Sequence, residues 1–214
     1  MTTRALLLDL DRTLVDLQSF TDYGAALADV ESLLGAWSDA DVPSTDWDGP
    51  TMACMSVLHS LLGDPRWDDV SRAIAVHERA AVRESVLMPS VDQALGALRE
   101  VPVAVVTLLA PEVVPVVLTA HGISVGPGRE VDLVVGRAWD VRPKPEADGL
   151  LAACAALGVE PADAVMVGDS SWDAEAAMRA GVRFIGVPSS PAVLEGAEVI
   201  EATFADAVTR ALAT

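Results

Sequence analysis

The sequence predicts an α/β protein: a doubly wound parallel sheet with a small α-helical domain inserted near its start. Three observations carry this. Ala5-Leu6-Leu7-Leu8 is a short apolar run ended abruptly by acids, as expected of a strand buried on both faces. From Pro89 onward, apolar runs alternate with amphipathic stretches, which implies repeated βα units, right-handed crossovers and helices on both faces. Between these two regions the apolar residues recur at helical spacing.

The first strand is read over residues 4–10, and the chain then reads as helical to about residue 88. Phe20, Tyr23, Leu27, Val30, Leu34 and Trp37 form one stripe of an amphipathic helix, a core stripe rather than a cofactor contact. Residues 39–50 read as a polar loop. Met52, Met55, Leu58, Leu61 and Leu62 mark a second helix, ended by Gly63-Asp64-Pro65, and Val70 to Ala81 mark a third. After Pro89, helices are expected at 90–100, 111–121, 145–157, 172–180 and 204–212. Strands are expected at 103–107, 131–135, 164–167 and 183–187, with a short edge strand at 199–200. Prolines at 111 and 145 would open two of the helices, and glycines at 122, 158 and 181 would close three. The domains follow as 1–16 with 89–214 for the sheet, and 17–88 for the helical insert.

Composition narrows the function. A formal charge of −18 over 214 residues repels nucleic acid and anionic lipid, so neither is an expected partner. No apolar run is long enough to span a bilayer, and the N-terminal apolar stretch is interrupted at Asp9 with no small-residue cleavage site, so a cytoplasmic protein is expected. Cys54 and Cys154 have no metal-ligand spacing and read as buried free thiols. His59, His77 and His121 are scattered and read as helix-flank residues.

Four places stand at the carboxyl ends of expected strands, where α/β proteins gather their sites. They are Asp9 and Asp11, Thr107, Lys144 in the loop beyond the third strand, and Asp169 with Asp173 in Gly168-Asp169-Ser170-Ser171-Trp172-Asp173. Each has a bland alternative. Asp9 and Asp11 could start a turn, Ser170-x-x-Asp173 matches a helix capping box, and a lysine is usually a solvated surface residue. Yet Lys144 is the only lysine, held between Pro143 and Pro145 just before a helix start that disfavours a cation, so an anion partner makes sense of it. Clustered carboxylates in a low-dielectric site need a cation, and oxygen ligands without His or Cys suit Mg²⁺. An Asp nucleophile beside an acid/base Asp fits phosphoryl transfer.

Asp-Leu-Asp-Arg-Thr-Leu-Val-Asp, Val-Val-Thr107, Arg-Pro-Lys144-Pro-Glu and Gly-Asp169-Ser-Ser-Trp-Asp173, in that order, resemble the motifs of the haloacid dehalogenase-like hydrolase superfamily. The resemblance covers residues 4–14 and about 89 to the end. It implies a Rossmann-like core, and the insert resembles the family's helical cap. It also implies a Mg²⁺-dependent phosphatase acting on a small phosphorylated metabolite. Asp9 would be the nucleophile and Asp11 the acid/base; Thr107 and Lys144 would hold the phosphoryl oxygens. Mg²⁺ would be held by Asp9, the backbone carbonyl of Asp11 and Asp169, with Asp173 in support. Asp16 would belong to a flap leading into the cap. An acid at Asp11 and the metal-binding acids separate the chain from the dehalogenases, and having no second lysine separates it from the phosphonate hydrolases. A phosphomutase, or a non-catalytic member binding a phosphorylated ligand or protein partner, remains open here. Arg12, where the family often has Gly, and Leu108, where it has a small or polar residue, depart from the pattern. Arg12 reads either as a surface residue, or as one that narrows the flap or contacts an anionic substrate. Trp172 and the insert's Trp37, Trp47 and Trp67 are candidates to shape a pocket, with Trp37 read as core.

Overall fold

The computed structural model describes residues 3–35, 37, 38, 40, 42, 43, 45, 47–187, 194 and 199–213. Six strands form one parallel sheet. In chain order they are β1 (Ala5–Leu8), β4 (Val103–Val106), β5 (Leu133–Val135), β6 (Ala164–Gly168), β7 (Arg183–Gly186) and β8 (Val199–Ile200). Their spatial order is β5-β4-β1-β6-β7-β8, with β1 in the interior. The numbers β2 (Val15–Asp16) and β3 (Val86–Leu87) belong to a separate two-stranded antiparallel ribbon.

Alternation along the strands divides the core in two. Leu6 and Leu8 join Val103, Val105, Val165 and Val167 on one face, beneath α5 (Val114–Ala120) and α8 (Phe204–Leu212). Ala5 and Leu7 join Ala104, Val106 and Met166 on the other, beneath α6 (Asp148–Leu157) and α7 (Ser171–Ala180). Layers on both faces make this the doubly wound sheet that the sequence predicts. Cys54 and Cys154 are buried free thiols, and no helix among the described residues is long and apolar enough to cross a membrane.

Helices α1 (Tyr23–Leu34), α2 (Gly49–Ser60) and α3 (Trp67–Ala81) share a third apolar cluster built on Val30, Met55, Leu58, Val70 and Ile74. Trp172, from α7 beneath the sheet's edge of the site, is fully buried in that cluster. The ribbon β2–β3 carries the chain into and out of these helices, pairing Val15 with Leu87 and Asp16 with Val86.

Several elements differ from expectation. The strand β3 lies inside the stretch read as helical, because a two-residue strand leaves no period to detect. The first helix is shorter than its stripe: Phe20 sits in a 3₁₀ turn and Gly35, at φ 69°, ends α1 before Trp37. Of the loop at 39–50, Asp39, Asp41, Ser44 and Asp46 lie outside the described residues. The helix expected over 90–100 breaks into α4 (Val91–Ala94) and a 3₁₀ turn at Ala97–Glu100. Helix α5 begins at Val114, with Pro115 rather than Pro111 in its first turn. Helix α6 begins at Asp148, so Lys144 is not at a helix start and the dipole argument does not apply to it.

Candidate active site

Register brings the site together. Leu8 pairs with Val105 on one side and Val167 on the other. Asp9, Thr107 and Asp169 therefore emerge from three adjacent strands at the same sheet edge. The Asp9 N–H donates to Val167 O at 2.9 Å, and the Thr107 N–H to Val135 O at 2.9 Å, so both leave the sheet still tied to its ladder.

Lys144 is buried, and its Nζ donates to Asp9 Oδ1 and to Asp173 Oδ1, each at 2.5 Å. The surface alternative for this lysine is thereby excluded. Burial works against the ammonium, but Asp173 and Asp9 outweigh it and hold its pKa above the ordinary lysine value. Burial pushes Asp9 up to about 6, against the pull of Lys144 and with a further push from Asp173. Lys144 and Asp9 face each other as a buried ion pair.

The capping box also forms. Ser170 Oγ accepts from the Asp173 N–H, while Asp173 Oδ2 accepts from the Ser170 N–H at 3.1 Å and from its hydroxyl at 2.5 Å. The capping-box reading of Asp173 is therefore met by one oxygen, while the other holds Lys144, a contact the sequence did not predict. Gly168 makes room for this, since a Cβ there would lie 2.6–2.7 Å from the Asp173 carboxyl group.

Asp11 likewise sits in a turn and in the site. Leu10 O accepts from the Leu14 and Val15 N–H groups, closing a tight loop in which Arg12 has φ 61°. Asp11 Oδ1 accepts from the Leu17 and Gln18 N–H groups at 2.9 Å each. Burial nonetheless raises the Asp11 carboxyl to about 7, helped by the charges of Asp9 and Asp16. Arg12 is turned inward: its Nε lies 3.7 Å from Asp169 Oδ2.

Asp9, Asp169 and Asp173 each offer an oxygen within 4.8 Å of the others. This all-oxygen set fits a hard divalent cation such as Mg²⁺. The cavity beside it is small, about 40 Å³, room for on the order of three waters. Asp9, Asp11, Thr107, Lys144, Asp169 and Asp173 all line it, as do Leu108 and Leu109. From residues 17–88, the lining includes Gln18, Tyr23, Trp47, Thr51 and Met55. Sequence reasoning missed most of these, and it assigned Tyr23 to the core alone. Among the tryptophans, Trp47 lines the cavity. Trp172 stands behind it, its Nε1 donating to Pro43 O at 2.9 Å and its ring edge-on to His59. Trp67 is buried in the helical cluster.

Arg137 and Glu78 were also not singled out. Arg137 follows β5 and donates to Glu78 and to both the hydroxyl and carbonyl of Ser71 on α3. It also donates to Leu108 O, while Glu78 accepts from the Ala110 N–H. The loop beyond Thr107 is held from both sides by this pair.

Comparison with protein-family profiles matches residues 3–181 to the haloacid dehalogenase-like hydrolases. Over 197 residues the chain is 28% identical to a phosphoglycolate phosphatase of Chromobacterium violaceum, covering 86% of this chain and 84% of that protein. A 52-residue stretch is 44% identical to PpaX of Clostridium perfringens, provisionally described as a pyrophosphatase; it covers 24% of each chain. Among solved structures, CbbY of Rhodobacter sphaeroides in complex with phosphate matches over the full length of both chains, with TM-score 0.72 and 22% identity. A mutant of the same protein in complex with xylulose-(1,5)bisphosphate matches over 96% of each, with TM-score 0.70 and 22% identity.

Proposed function

The chain belongs to the haloacid dehalogenase-like hydrolases, and on that premise we propose that it is a Mg²⁺-dependent phosphatase of small phosphorylated metabolites, working through an aspartyl-phosphate. The observation that carries this is the buried Lys144 held between Asp9 and Asp173. A cation fixed at an ionised carboxylate, beside an all-oxygen metal-binding set, is what attack on a phosphate dianion requires.

An oxygen of Asp9 attacks phosphorus as the bond to the leaving alcohol breaks. Asp11 gives its proton to that alcohol; a pKa near 7 keeps a useful fraction protonated at neutral pH. Water then attacks phosphorus, loses a proton to Asp11, and releases phosphate and the Asp9 carboxylate. Lys144 and the Thr107 hydroxyl hold the phosphoryl oxygens; Thr107 Oγ1 accepts from the Leu109 N–H, which leaves its own hydrogen to donate. Asp9, Asp169 and the backbone carbonyl of Asp11 would hold Mg²⁺, which when bound neutralises charge on the carboxylates and phosphate. Asp173 positions Lys144 and supports the metal site. Residues 17–88 act as a cap over a core of 1–16 and 89–214, and the buried thiols and acidic surface suit a cytoplasmic enzyme.

The test is turnover of an aryl phosphate with Mg²⁺, with EDTA, and by Asp9→Asn. Activity is expected only in the first case; activity that survives Asp9→Asn removes Asp9 as nucleophile.

A further inference from the structure

The part of the cavity lining that comes from residues 17–88 carries no charge among the described residues. Gln18, Tyr23, Trp47, Thr51 and Met55 form it, and Leu108 and Leu109 add apolar surface from the sheet side. Burial holds the Tyr23 phenol well above its ordinary pKa, so it stays neutral. Every Arg, Lys and His of the chain is among the described residues, so their positions can be counted in full. Of them, only Lys144 lines this cavity, and its ammonium already bonds Asp9 and Asp173. Of the cationic residues in 17–88, Arg66 pairs with Asp64, Arg72 with Asp69 and His77 with Asp29, Arg79 donates to Glu112 O, His59 Nε2 lies 3.2 Å from Lys144 O, and Arg83 is exposed.

One group in that lining is incomplete. Thr51 is 3% exposed, and among the described residues its Oγ1 has no hydrogen-bond partner. A buried hydroxyl without a partner is costly, and in a residue that lines a ligand cavity a ligand group entering beside it can satisfy it.

Resting on the phosphatase reading, we infer that the leaving group of the natural substrate is uncharged, small and hydroxylated, with Thr51 bonding its hydroxyl. A carboxylate or second phosphate at that position would be desolvated against neutral and apolar side chains with no counter-charge, inside a site already rich in carboxylates. The specificity inferred for this chain thus departs from phosphoglycolate and xylulose-(1,5)bisphosphate, the organic phosphates named with two of the relatives, each of which carries a second anionic group. Discrimination arises because a site built to bond a hydroxyl leaves its own polar group unpaired when the substrate lacks one.

The experiment compares kcat/KM for four esters of near-equal size: 2-hydroxyethyl phosphate, ethyl phosphate, phosphoglycolate and O-phosphoethanolamine. With wild-type protein and Mg²⁺, 2-hydroxyethyl phosphate is expected to exceed both charged esters by at least about tenfold. In Thr51→Val the ratio of 2-hydroxyethyl to ethyl phosphate is expected to fall about tenfold, a change that general loss of folding would not produce. Phosphoglycolate turned over as well as or better than 2-hydroxyethyl phosphate overturns the inference while leaving the phosphatase reading intact, as does preference for the ammonium ester. No turnover of any of the four, nor of an aryl phosphate, overturns both.

Discussion

Glu78 on α3 and Arg137 after β5 form an ion pair at 2.5 Å with both side chains at most 2% exposed, joining the helical segment to the loop that follows Thr107. Fifty-nine residues separate them in the chain. Glu78→Gln keeps an acceptor for the Ala110 N–H but leaves the guanidinium buried without its counter-charge. A loss of ~3–5 kcal/mol in stability is expected, read from the denaturant midpoint. Replacing both residues by Met should recover most of it, because the penalty comes from the unpaired charge.

The metal-free protein should lose stability as pH rises across neutrality. Asp9 and Asp11 have folded-state values of about 6 and 7, above the ordinary carboxylate value of 3.8. The folded state therefore holds protons that the unfolded state has released. Their contribution is complete below about pH 4 and is lost as pH rises through 6 to 7. Mg²⁺ should reverse the trend, since it binds the deprotonated form. Thermal midpoints at pH 5 to 8, with and without Mg²⁺, check this: the shift produced by Mg²⁺ should grow with pH.

Asp11→Asn should separate the two chemical steps. An aryl alcohol with a low pKa leaves without being protonated, so Asp9 can still be phosphorylated, whereas hydrolysis of the aspartyl-phosphate loses its base. Rapid mixing with p-nitrophenyl phosphate should give a burst of up to one product per enzyme. The steady state should then be slower by ~10²–10⁴-fold. In the wild type, kcat/KM for an alkyl ester should fall as pH rises past about 7, where Asp11 loses the proton it donates.

Gly168→Ala should damage the site without damaging the fold. The added methyl would stand 2.6–2.7 Å from the Asp173 carboxyl group, closer than packed atoms allow. Asp173 must then shift and release Lys144. Activity should fall by at least about tenfold, with far-UV circular dichroism unchanged.

Arg12→Gly should tighten Mg²⁺ binding. Arg12 holds a φ of 61° that glycine adopts more readily, so the change relieves ~1 kcal/mol of backbone cost. It also removes a guanidinium 3.7 Å from Asp169. The Mg²⁺ concentration for half-maximal activity should fall by about threefold or more. An unchanged or higher value would mean that Arg12 does not compete with the ion.

What the sequence determined by itself was the frame. Apolar runs such as Ala5-Leu6-Leu7-Leu8 and Val103-Ala104-Val105-Val106 announce strands buried on both faces, and the acids, Thr107 and Lys144 near their ends are legible because period and termination are local properties of one segment. What only the tertiary structure decided was every pairing across segments. Asp173 both caps a helix and holds Lys144, Trp172 packs into the cluster of α1–α3, and Thr51, which lines the same cavity as the carboxylates, has no hydroxyl partner among the described residues. Gly168 is required because Asp173 folds back over it, and Glu78 is tolerable in the interior because Arg137 arrives from the loop after β5. Burial, charge compensation and hydrogen-bond satisfaction depend on which surfaces meet, and strand register, set by packing of the whole sheet, decides that.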